Sequence, residues 1–328
     1  MPIGRHLVVI AAAALVLTGC GSDNVSGTSR PVETSQPASS AGPVPKAGAA
    51  PAVTAVLPTP HGSSSASRAG SHPTKVLVVI EENHSLNQML SEMPYLAGLS
   101  NRYGYATRWH ALTHPSEPNY VAMVGGSTFG VTNDRPPADN ASKVGHALSV
   151  FSQARQAGRS ARTYAESMPS RCAARDHGAY AVRHNPWTYF AADRAACRAD
   201  DLNTDTFRAD AEANRLPNVG LLIPNLDNDA HDASLTRADL WLKRRLTPVL
   251  ASTDFTSGRL VVVVTADEDD RRSGNIVLTS VLTPRVSHLV VKTPLTHYSL
   301  TRFLGEVLGV APLGKGRGAP DMGSAFGL

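Results

Sequence analysis

The chain has 328 residues, a formal net charge of +4 at pH 7 and 42% hydrophobic residues. That length accommodates one large α/β domain or two smaller domains once targeting segments and linkers are set aside. The net charge is small for such a chain and no basic run stands out, so we expect no nucleic-acid partner. The sequence also lacks an internal repeat and the glycine patterns of P-loops and dinucleotide-binding folds.

The first twenty residues have the pattern of a bacterial lipoprotein signal. Arg5 and His6 precede an apolar run from Leu7 to Leu17, which is too short to cross a bilayer as a helix. The run ends in Leu17-Thr18-Gly19-Cys20, which resembles the lipobox, where cleavage leaves a lipid-modified cysteine at the new N-terminus. We predict export and acylation of Cys20, which anchors the protein in membrane lipid at the outer face of the bacterial cell membrane or elsewhere in the periplasm or cell envelope. A structural thiol at Cys20 is the alternative.

Residues 21–74 are rich in Ser, Pro, Ala, Gly and Thr and contain few aromatic residues. Such a composition buries too little apolar surface to offset the entropy of ordering, so we predict a disordered tether. Residues 75–328 then form the folded domain.

Three hydrophobic segments of this domain have the β-branched composition of strands that are buried on both faces. They cover residues 75–80, 219–223 and 260–265, and each is followed by acidic residues. Helical patterns lie between them, which predicts an α/β fold: a three-layer sandwich with a central, mainly parallel sheet. Ligands of such sheets bind beyond the carboxyl ends of the strands, so we expect the acids to lie close together.

The helical patterns cover residues 146–157, 235–250 and 298–308. In the second, Leu240, Trp241, Leu246 and Leu250 are predicted to share one face. Residues 314–327 are rich in glycine, and we predict irregular structure there.

The acids at the strand ends, with two histidines from other loops, are donors that suit a divalent cation such as zinc or manganese. The candidates are Glu82, Asp227, His231, Asp267, Glu268 and His297. Taken singly, each has an ordinary alternative: a solvated acidic turn, an acidic pair at a helix N-terminus or an exposed loop histidine. Their coincidence at the ends of successive buried strands favours a metal site.

The segment His114-Pro115-Ser116-Glu117-Pro118-Asn119-Tyr120 holds one hydroxyl between two prolines. A hydroxyl held so rigidly can act as a nucleophile. Ser, Pro and Asn are also the commonest turn residues, so a plain turn is the alternative.

Apart from Cys20, the chain has two cysteines, Cys172 and Cys197, and an exported protein can keep them as a disulfide. Two buried free thiols are the alternative. The cysteines flank His184 and Asn185, which are candidates for substrate contact, and an aromatic cluster that either lines the substrate entrance or belongs to the core. The aromatic residues are Trp187, Tyr189 and Phe190.

Six segments between about Val76 and Phe326 resemble, in this order, the bacterial phosphoesterase family that includes acid phosphatases and phospholipase C-type enzymes. They are Glu82-Asn83-His84, the segment from His114 to Tyr120, His184-Asn185-Pro186-Trp187, Asp227-x-x-x-His231-Asp232, Asp267-Glu268-Asp269 and His297-Tyr298-Ser299-Leu300. The family belongs to the alkaline phosphatase-like superfamily, whose α/β sandwich agrees with the strand pattern.

The resemblance implies roles for individual residues. Ser116 matches the nucleophile, Asn119 matches an amide that binds a phosphoryl oxygen, and His114 is a further candidate for that contact. Glu82 matches the first acidic ligand, and Asn83 adds a candidate oxygen. Two metal sites are implied, one with Asp227, His231 and His297 and the other with Asp267 and Glu268. Zinc is the first candidate metal. Manganese, calcium and magnesium are alternatives, because Glu268 stands where many relatives have an imidazole, and a carboxylate ligand favours harder cations.

These observations predict a secreted, lipid-anchored, metal-dependent phosphoric ester hydrolase that acts through a phosphoserine intermediate. The short chain favours an acid phosphatase-like activity on phosphate monoesters. A phosphodiesterase or phospholipase C-type hydrolase is one alternative, and a lipoprotein that binds metal or phosphate without turnover is another.

Overall fold

The computed structural model of the protein describes residues 72–328. The predicted signal, Cys20 and the tether up to residue 71 lie outside the described residues, so these features stay predictions. No helix of the described part is long and apolar enough to cross a membrane.

Nine strands of the described chain form one sheet in the order β4-β3-β5-β1-β6-β7-β2-β8, with β9 beside β2. The strands are β1 (Lys75–Glu81), β2 (Gly104–His110), β3 (Ala161–Ala165), β4 (Asp201–Leu202), β5 (Val219–Ile223), β6 (Leu260–Ala266), β7 (Ile276–Leu282), β8 (Leu289–Val291) and β9 (Leu295–Thr296). Within these residues, β7 alone pairs antiparallel with its neighbours, β6 and β2. The predicted α/β class with a mainly parallel sheet is confirmed.

Eleven α-helices accompany the sheet in the described residues. They are α1 (Leu86–Glu92), α2 (Pro94–Arg102), α3 (Ser116–Gly125), α4 (Pro137–Val144), α5 (Val150–Gln156), α6 (Arg194–Asp200), α7 (Phe207–Glu212), α8 (Leu235–Ala251), α9 (Thr253–Thr256), α10 (His297–Leu308) and α11 (Met322–Phe326). One group packs α3 and α5 on α10, and another packs α2 and α7 on α8. The central strands β5 and β6 are buried along their whole length, as their β-branched composition predicts.

The helix predicted over residues 235–250 is confirmed as α8, but one residue of its predicted buried face is exposed. Trp241 and Leu246 are buried, whereas Leu240 is 53% exposed. The buried face of α8 includes both Trp241 and Leu242, and at about 100° per residue Leu240 lies about 200° from Leu242 around the helix. The prediction for Leu240 is therefore wrong.

Two other boundaries differ from the sequence prediction. Helix α5 begins only at Val150, because the Ser149 side chain accepts a hydrogen bond from the Ser152 N–H and caps the helix there. The prediction of irregular structure over residues 314–327 is wrong, since a 3₁₀ turn covers Gly314–Gly318 and α11 follows, capped by Asp321.

The disulfide between Cys172 and Cys197 is confirmed, with a Cα–Cα distance of 5.4 Å. Trp187, Tyr189 and Phe190, which lie between the two cysteines, are buried in the hydrophobic core. Of the two predictions for this aromatic cluster, the one that assigns it to the core is therefore confirmed.

The C-terminal segment packs closely against the end of α3, the helix that begins with Ser116. Gly126 ends α3 in a left-handed conformation, with φ 71°. A Cβ atom there would lie 2.3 Å from the Leu313 carbonyl oxygen, and the Lys315 N–H donates to the Gly126 carbonyl at 2.8 Å. Only glycine fits this contact without moving the C-terminal backbone.

We predict that Gly126→Ala destabilises the protein more than Gly130→Ala. Gly130 has a similar φ of 74° but open space around its Cβ position, so its substitution measures the backbone cost alone, about 1–2 kcal/mol. The clash at Gly126 adds about 1–3 kcal/mol. Denaturant unfolding of both variants measures the difference, and equal losses of unfolding free energy would refute the close packing.

Candidate active site

The loops that follow β1, β5 and β6 are joined by backbone hydrogen bonds at the carboxyl edge of the sheet. The Glu82 N–H donates to the Asp229 carbonyl at 2.8 Å, and the Asp267 N–H donates to the Glu81 carbonyl at 3.1 Å. Asn83 turns the chain with φ 54°, and its N–H donates to Asp267 Oδ1 at 3.2 Å. The side chains of Glu82 and Asp267 therefore emerge together, as the strand-end pattern predicts.

Ser116 is the first residue of α3 and is buried. Its hydroxyl donates to Glu82 Oε2 at 3.1 Å, and the Tyr120 hydroxyl, one helical turn later, donates to Glu82 Oε1. The preceding peptide bond, between His114 and Pro115, is cis. The segment is thus a helix start that directs Ser116 at a carboxylate, and not a plain turn.

Asn119 holds the loop that precedes Ser116. Its Oδ1 accepts from the Leu112 and Thr113 N–H groups at 3.0 and 3.3 Å. Its Nδ2 donates to the Thr113 carbonyl at 2.8 Å and to Glu268 Oε2 at 3.2 Å. Both the oxygen and the nitrogen of the Asn119 amide form hydrogen bonds, and the side chain is buried. The predicted contact with a phosphoryl oxygen stays a prediction, and it would compete with these hydrogen bonds.

His184 lies between two carboxylates, and its neighbour Asn185 points elsewhere. The His184 Nε2 atom is 3.2 Å from Glu82 Oε1, and its Nδ1 atom is 3.2 Å from Asp229 Oδ2. The ring stacks on Tyr120 with centroids 5.1 Å apart. The Asn185 amide instead donates to Asp201 at 2.8 Å, so of the two candidates only His184 joins the cluster.

Asp229, which the sequence reasoning missed, takes the place expected for Asp227. The Asp227 side chain is 50% exposed and pairs with Arg237 at 3.5 Å, whereas Asp229 is buried. Ala230 adopts φ 73°, and Asp229 Oδ1 accepts the His231 N–H at 2.8 Å. The turn at Ala230 therefore accompanies a placement in which the carboxylate of Asp229, and not that of Asp227, lies beside His184.

Both predicted histidine ligands have their ring nitrogens engaged by the protein. His231 Nδ1 is 2.7 Å from Asp232 Oδ1, and its Nε2 is 3.2 Å from Arg183 Nη2. His297 is buried, with Nδ1 accepting from Trp109 Nε1–H at 3.1 Å and Nε2 2.6 Å from the Asp267 carbonyl. Ligation of a metal by either ring stays a prediction and would require these contacts to break.

Glu268 and His114 form the rim of the cluster. His114 Nδ1 is 3.1 Å from Glu268 Oε1, and its Nε2 is 3.4 Å from Asp269 Oδ1. Asp269 also accepts backbone hydrogen bonds from Arg271, Ser273 and Asn275. Asp269 therefore shapes the acidic loop, while Glu268 faces the site.

The sequence profile of the phosphoesterase family matches residues 90–311, which is most of the chain. This chain belongs to the phosphoesterase family. The predicted resemblance is thus confirmed, and the protein is a hydrolase of phosphoric esters.

Two relatives of this phosphoesterase show how far the similarity extends. The phosphatidylinositol-3-phosphatase of Mycobacterium tuberculosis is 31% identical over 258 residues, which cover 77% of this chain and 82% of the relative. The phosphate-repressible acid phosphatase of Penicillium chrysogenum is 32% identical over 222 residues, which cover 64% of this chain. This chain spans 53% of that fungal relative.

Solved structures share the fold of this phosphoesterase at low sequence identity. A Vibrio parahaemolyticus protein of the alkaline phosphatase superfamily matches with a TM-score of 0.52 and 11% identity, over 78% of this chain and 72% of that one. The lipoteichoic acid synthase LtaP of Listeria monocytogenes matches with a TM-score of 0.51 and 11% identity, over 73% and 72% of the two chains. These likenesses confirm the alkaline phosphatase-like fold.

The acids of the phosphoesterase site are crowded and buried, which disfavours their charged forms. Burial raises the pKa of Asp267 to about 7, with a contribution from the Asp229 charge. Burial and the Asp267 charge raise the pKa of Glu268 to about 9, and burial raises that of Asp229 to about 7. The pKa of Glu82 is raised well above its ordinary value by burial and by Asp267. Protons or a cation must therefore neutralise this cluster.

The donors fit a hard divalent cation in front of Ser116. Glu82, Asp267 and Glu268 supply carboxylate oxygens, and the buried Oδ2 atom of Asp267 has no hydrogen-bond partner. In the described part of the chain, no three acidic or histidine ligand atoms of this cluster all lie within 4.8 Å of one another. A bound cation would thus draw the side chains together.

We predict that the metal-free protein becomes less stable as the pH rises from about 6.5 to about 9. The pKa values of Asp229, Asp267 and Glu268 are higher in the folded protein than in the unfolded chain. Their stabilising contribution is therefore complete below the unfolded-state values and is lost as the pH passes the folded-state values. His184 and His297 have lowered pKa values, so they affect stability only below about pH 6.5.

Thermal unfolding of chelator-treated protein across this pH range measures the effect. A divalent cation should flatten the profile, because it replaces the protons that the carboxylates lose. A midpoint that rises with pH in the metal-free protein would contradict the clustering of these acids.

Proposed function

We propose that this phosphoesterase is a metal-dependent phosphomonoesterase with Ser116 as its nucleophile. The observation that carries the proposal is the buried Ser116 hydroxyl, which donates to Glu82 at 3.1 Å beside the carboxylates of Asp267 and Glu268. An unassisted serine is a poor nucleophile near neutral pH, so a base within hydrogen-bond distance is the feature required.

The chain's own residues account for the proton movements. Ser116 Oγ attacks phosphorus while its proton passes to Glu82, the P–O bond to the alcohol breaks, and the alcohol oxygen takes a proton from solvent. Water then attacks the phosphoserine, Ser116 Oγ takes back its proton from Glu82 as the P–O bond to serine breaks, and the proton that the water loses passes to solvent, so that inorganic phosphate leaves and both residues are restored. Tyr120 holds the Glu82 carboxylate in place, and Asn119 holds the loop that precedes Ser116 in place, during both steps.

We propose Glu82, Asp267 and Glu268, with the Asn83 side-chain oxygen and Ser116, as the residues that hold a cation. Such an ion would lower the pKa of the serine hydroxyl and would neutralise charge on the phosphoryl group. Zinc, manganese, magnesium and calcium all accept this donor set to different degrees. A second ion bound by Asp227, His231 and His297 has less support, because each of these side chains pairs with a protein group.

The names of the relatives favour monoesters as substrates. A phosphatidylinositol-3-phosphatase and several acid phosphatases are among them, so a phosphoinositide or a small soluble monoester is the substrate class that we propose. A phosphodiesterase or phospholipase C-type activity and a non-catalytic phosphate-binding lipoprotein are the outcomes to test against. We also propose export and membrane anchoring through Cys20.

We predict that Ser116→Ala abolishes hydrolysis of p-nitrophenyl phosphate and lowers the free energy of unfolding by no more than about 1–3 kcal/mol. The substitution removes the nucleophile, and the buried Glu82 Oε2 atom loses the hydroxyl that donates to it. Acid-quenched wild-type protein should yield a phosphorylated peptide that contains Ser116. Ser91→Ala, which removes an exposed hydroxyl of α1, is the matched control. Residual activity of Ser116→Ala near the wild-type rate would exclude this serine as the nucleophile.

We predict that Glu268→Gln lowers the bound metal content and that Asp227→Asn leaves it unchanged. Glu268 faces Asn119 and His114 at the site, whereas Asp227 points to Arg237. Elemental analysis of protein purified in parallel measures the metal content. Chelation should abolish activity, and added divalent cation should restore it. Equal metal loss in both variants would favour the two-ion arrangement that the sequence predicts.

A further inference from the structure

We propose that Arg183 binds the phosphate group and selects dianionic phosphomonoesters over monoanionic diesters. Asp232 and His231 hold its guanidinium in place. The inference rests on the proposed phosphomonoesterase function, which it extends from the reacting serine to the choice of substrate.

A chain of hydrogen bonds orients the guanidinium. Asp232 Oδ1 lies 2.7 Å from His231 Nδ1, and a carboxylate accepts, so Nδ1 carries the proton. The lone pair of His231 Nε2 then faces Arg183 Nη2 at 3.2 Å and accepts from it. The His231 backbone N–H is bound in turn by Asp229. The carboxylate and the ring thus fix one edge of Arg183.

Two histidine rings link Arg183 to the active-site cluster. The His231 ring that Arg183 contacts lies 6.1 Å from the His184 ring, measured between centroids. His184 Nε2 is in turn 3.2 Å from Glu82 Oε1, the carboxylate to which Ser116 donates. These contacts connect the guanidinium to the groups that surround Ser116.

Arg183 has donors to spare for a ligand. Within residues 72–328 it forms no direct ion pair with a carboxylate, and its hydrogen bond is to the His231 ring. Nearby arginines are engaged differently, since Arg237 pairs with Asp227 and Arg245 pairs with Glu166. Arg183 is partly buried, and its hydrogen bond is to an imidazole and not to a carboxylate. Its other N–H groups can therefore bind an anion.

Phosphate chemistry explains the expected selectivity. A phosphomonoester carries close to two negative charges near neutral pH, whereas a diester carries one. A planar guanidinium binds two phosphoryl oxygens in a bidentate manner, and such charge-assisted contacts are stronger than neutral ones. The acids of the site repel a dianion more than a monoanion, so the extra positive charge matters most for monoesters.

The test compares kcat/KM for p-nitrophenyl phosphate and bis(p-nitrophenyl) phosphate in wild type, Arg183→Met, Arg183→Lys and Arg237→Met. Arg183→Met should lower the monoester value about 10- to 100-fold, mainly through KM, and the diester value several-fold less. Arg183→Lys, which keeps the charge, should recover part of the loss. Arg237→Met removes the same charge outside the cluster and should leave the ratio of the two values unchanged.

Calorimetric titration with inorganic phosphate provides a readout that does not need turnover. Phosphate affinity should fall about 10-fold or more in Arg183→Met and stay the same in Arg237→Met. Wild-type protein that hydrolyses neither ester would refute the proposed function, and the titration would still test Arg183. Hydrolysis by wild type with an unchanged ester ratio and unchanged phosphate affinity in Arg183→Met would overturn the inference alone.

Discussion

Crowding of buried carboxylates at one edge of the sheet is the constraint on which the rest of the site depends. Strands β1 and β6 are adjacent and parallel, so Glu82 and Asp267 emerge side by side wherever the two strands end. Many of the surrounding hydrogen bonds hold these acids in fixed orientations: Tyr120 and Ser116 donate to Glu82, and Asn83 donates to Asp267. Such an arrangement persists only when protons or a bound cation neutralise the carboxylates, which couples the stability of the fold to pH and to the metal binding that we propose.

The sequence predicted the parts that depend on strong local signals. Continuous β-branched runs favour strands that are buried on both faces, and an acid directly after such a run is expected at the carboxyl edge of the sheet. Glu82, Asp267 and Glu268 were therefore found together with Ser116, although Ser116 and Glu268 are far apart along the chain. The buried face of α8 was predicted only in part, because a helical pattern alone does not show whether Leu240 or its neighbour Trp241 faces the core.

What the sequence could not provide was the path of the loops. A left-handed residue at Ala230 brings Asp229 into the cluster in place of Asp227, and no composition rule predicts this conformation at an alanine. The engagement of His297 by Trp109 and Asp267 is likewise a tertiary effect, since these groups belong to different elements. The sequence did not indicate a role for Arg183, because the position of an arginine in a sequence does not show which groups its side chain contacts in the fold.

The disulfide brackets the segment that carries Arg183 and His184. Between Cys172 and Cys197 the chain forms 3₁₀ turns and the start of α6, with little backbone ladder of its own. Closing a loop of this size removes about 3 kcal/mol of conformational freedom from the unfolded chain. Strands β1, β5 and β6 lie outside that loop, so the cross-link restrains this segment and not the central sheet. The disulfide therefore stabilises the part of the chain that holds His184 between Glu82 and Asp229.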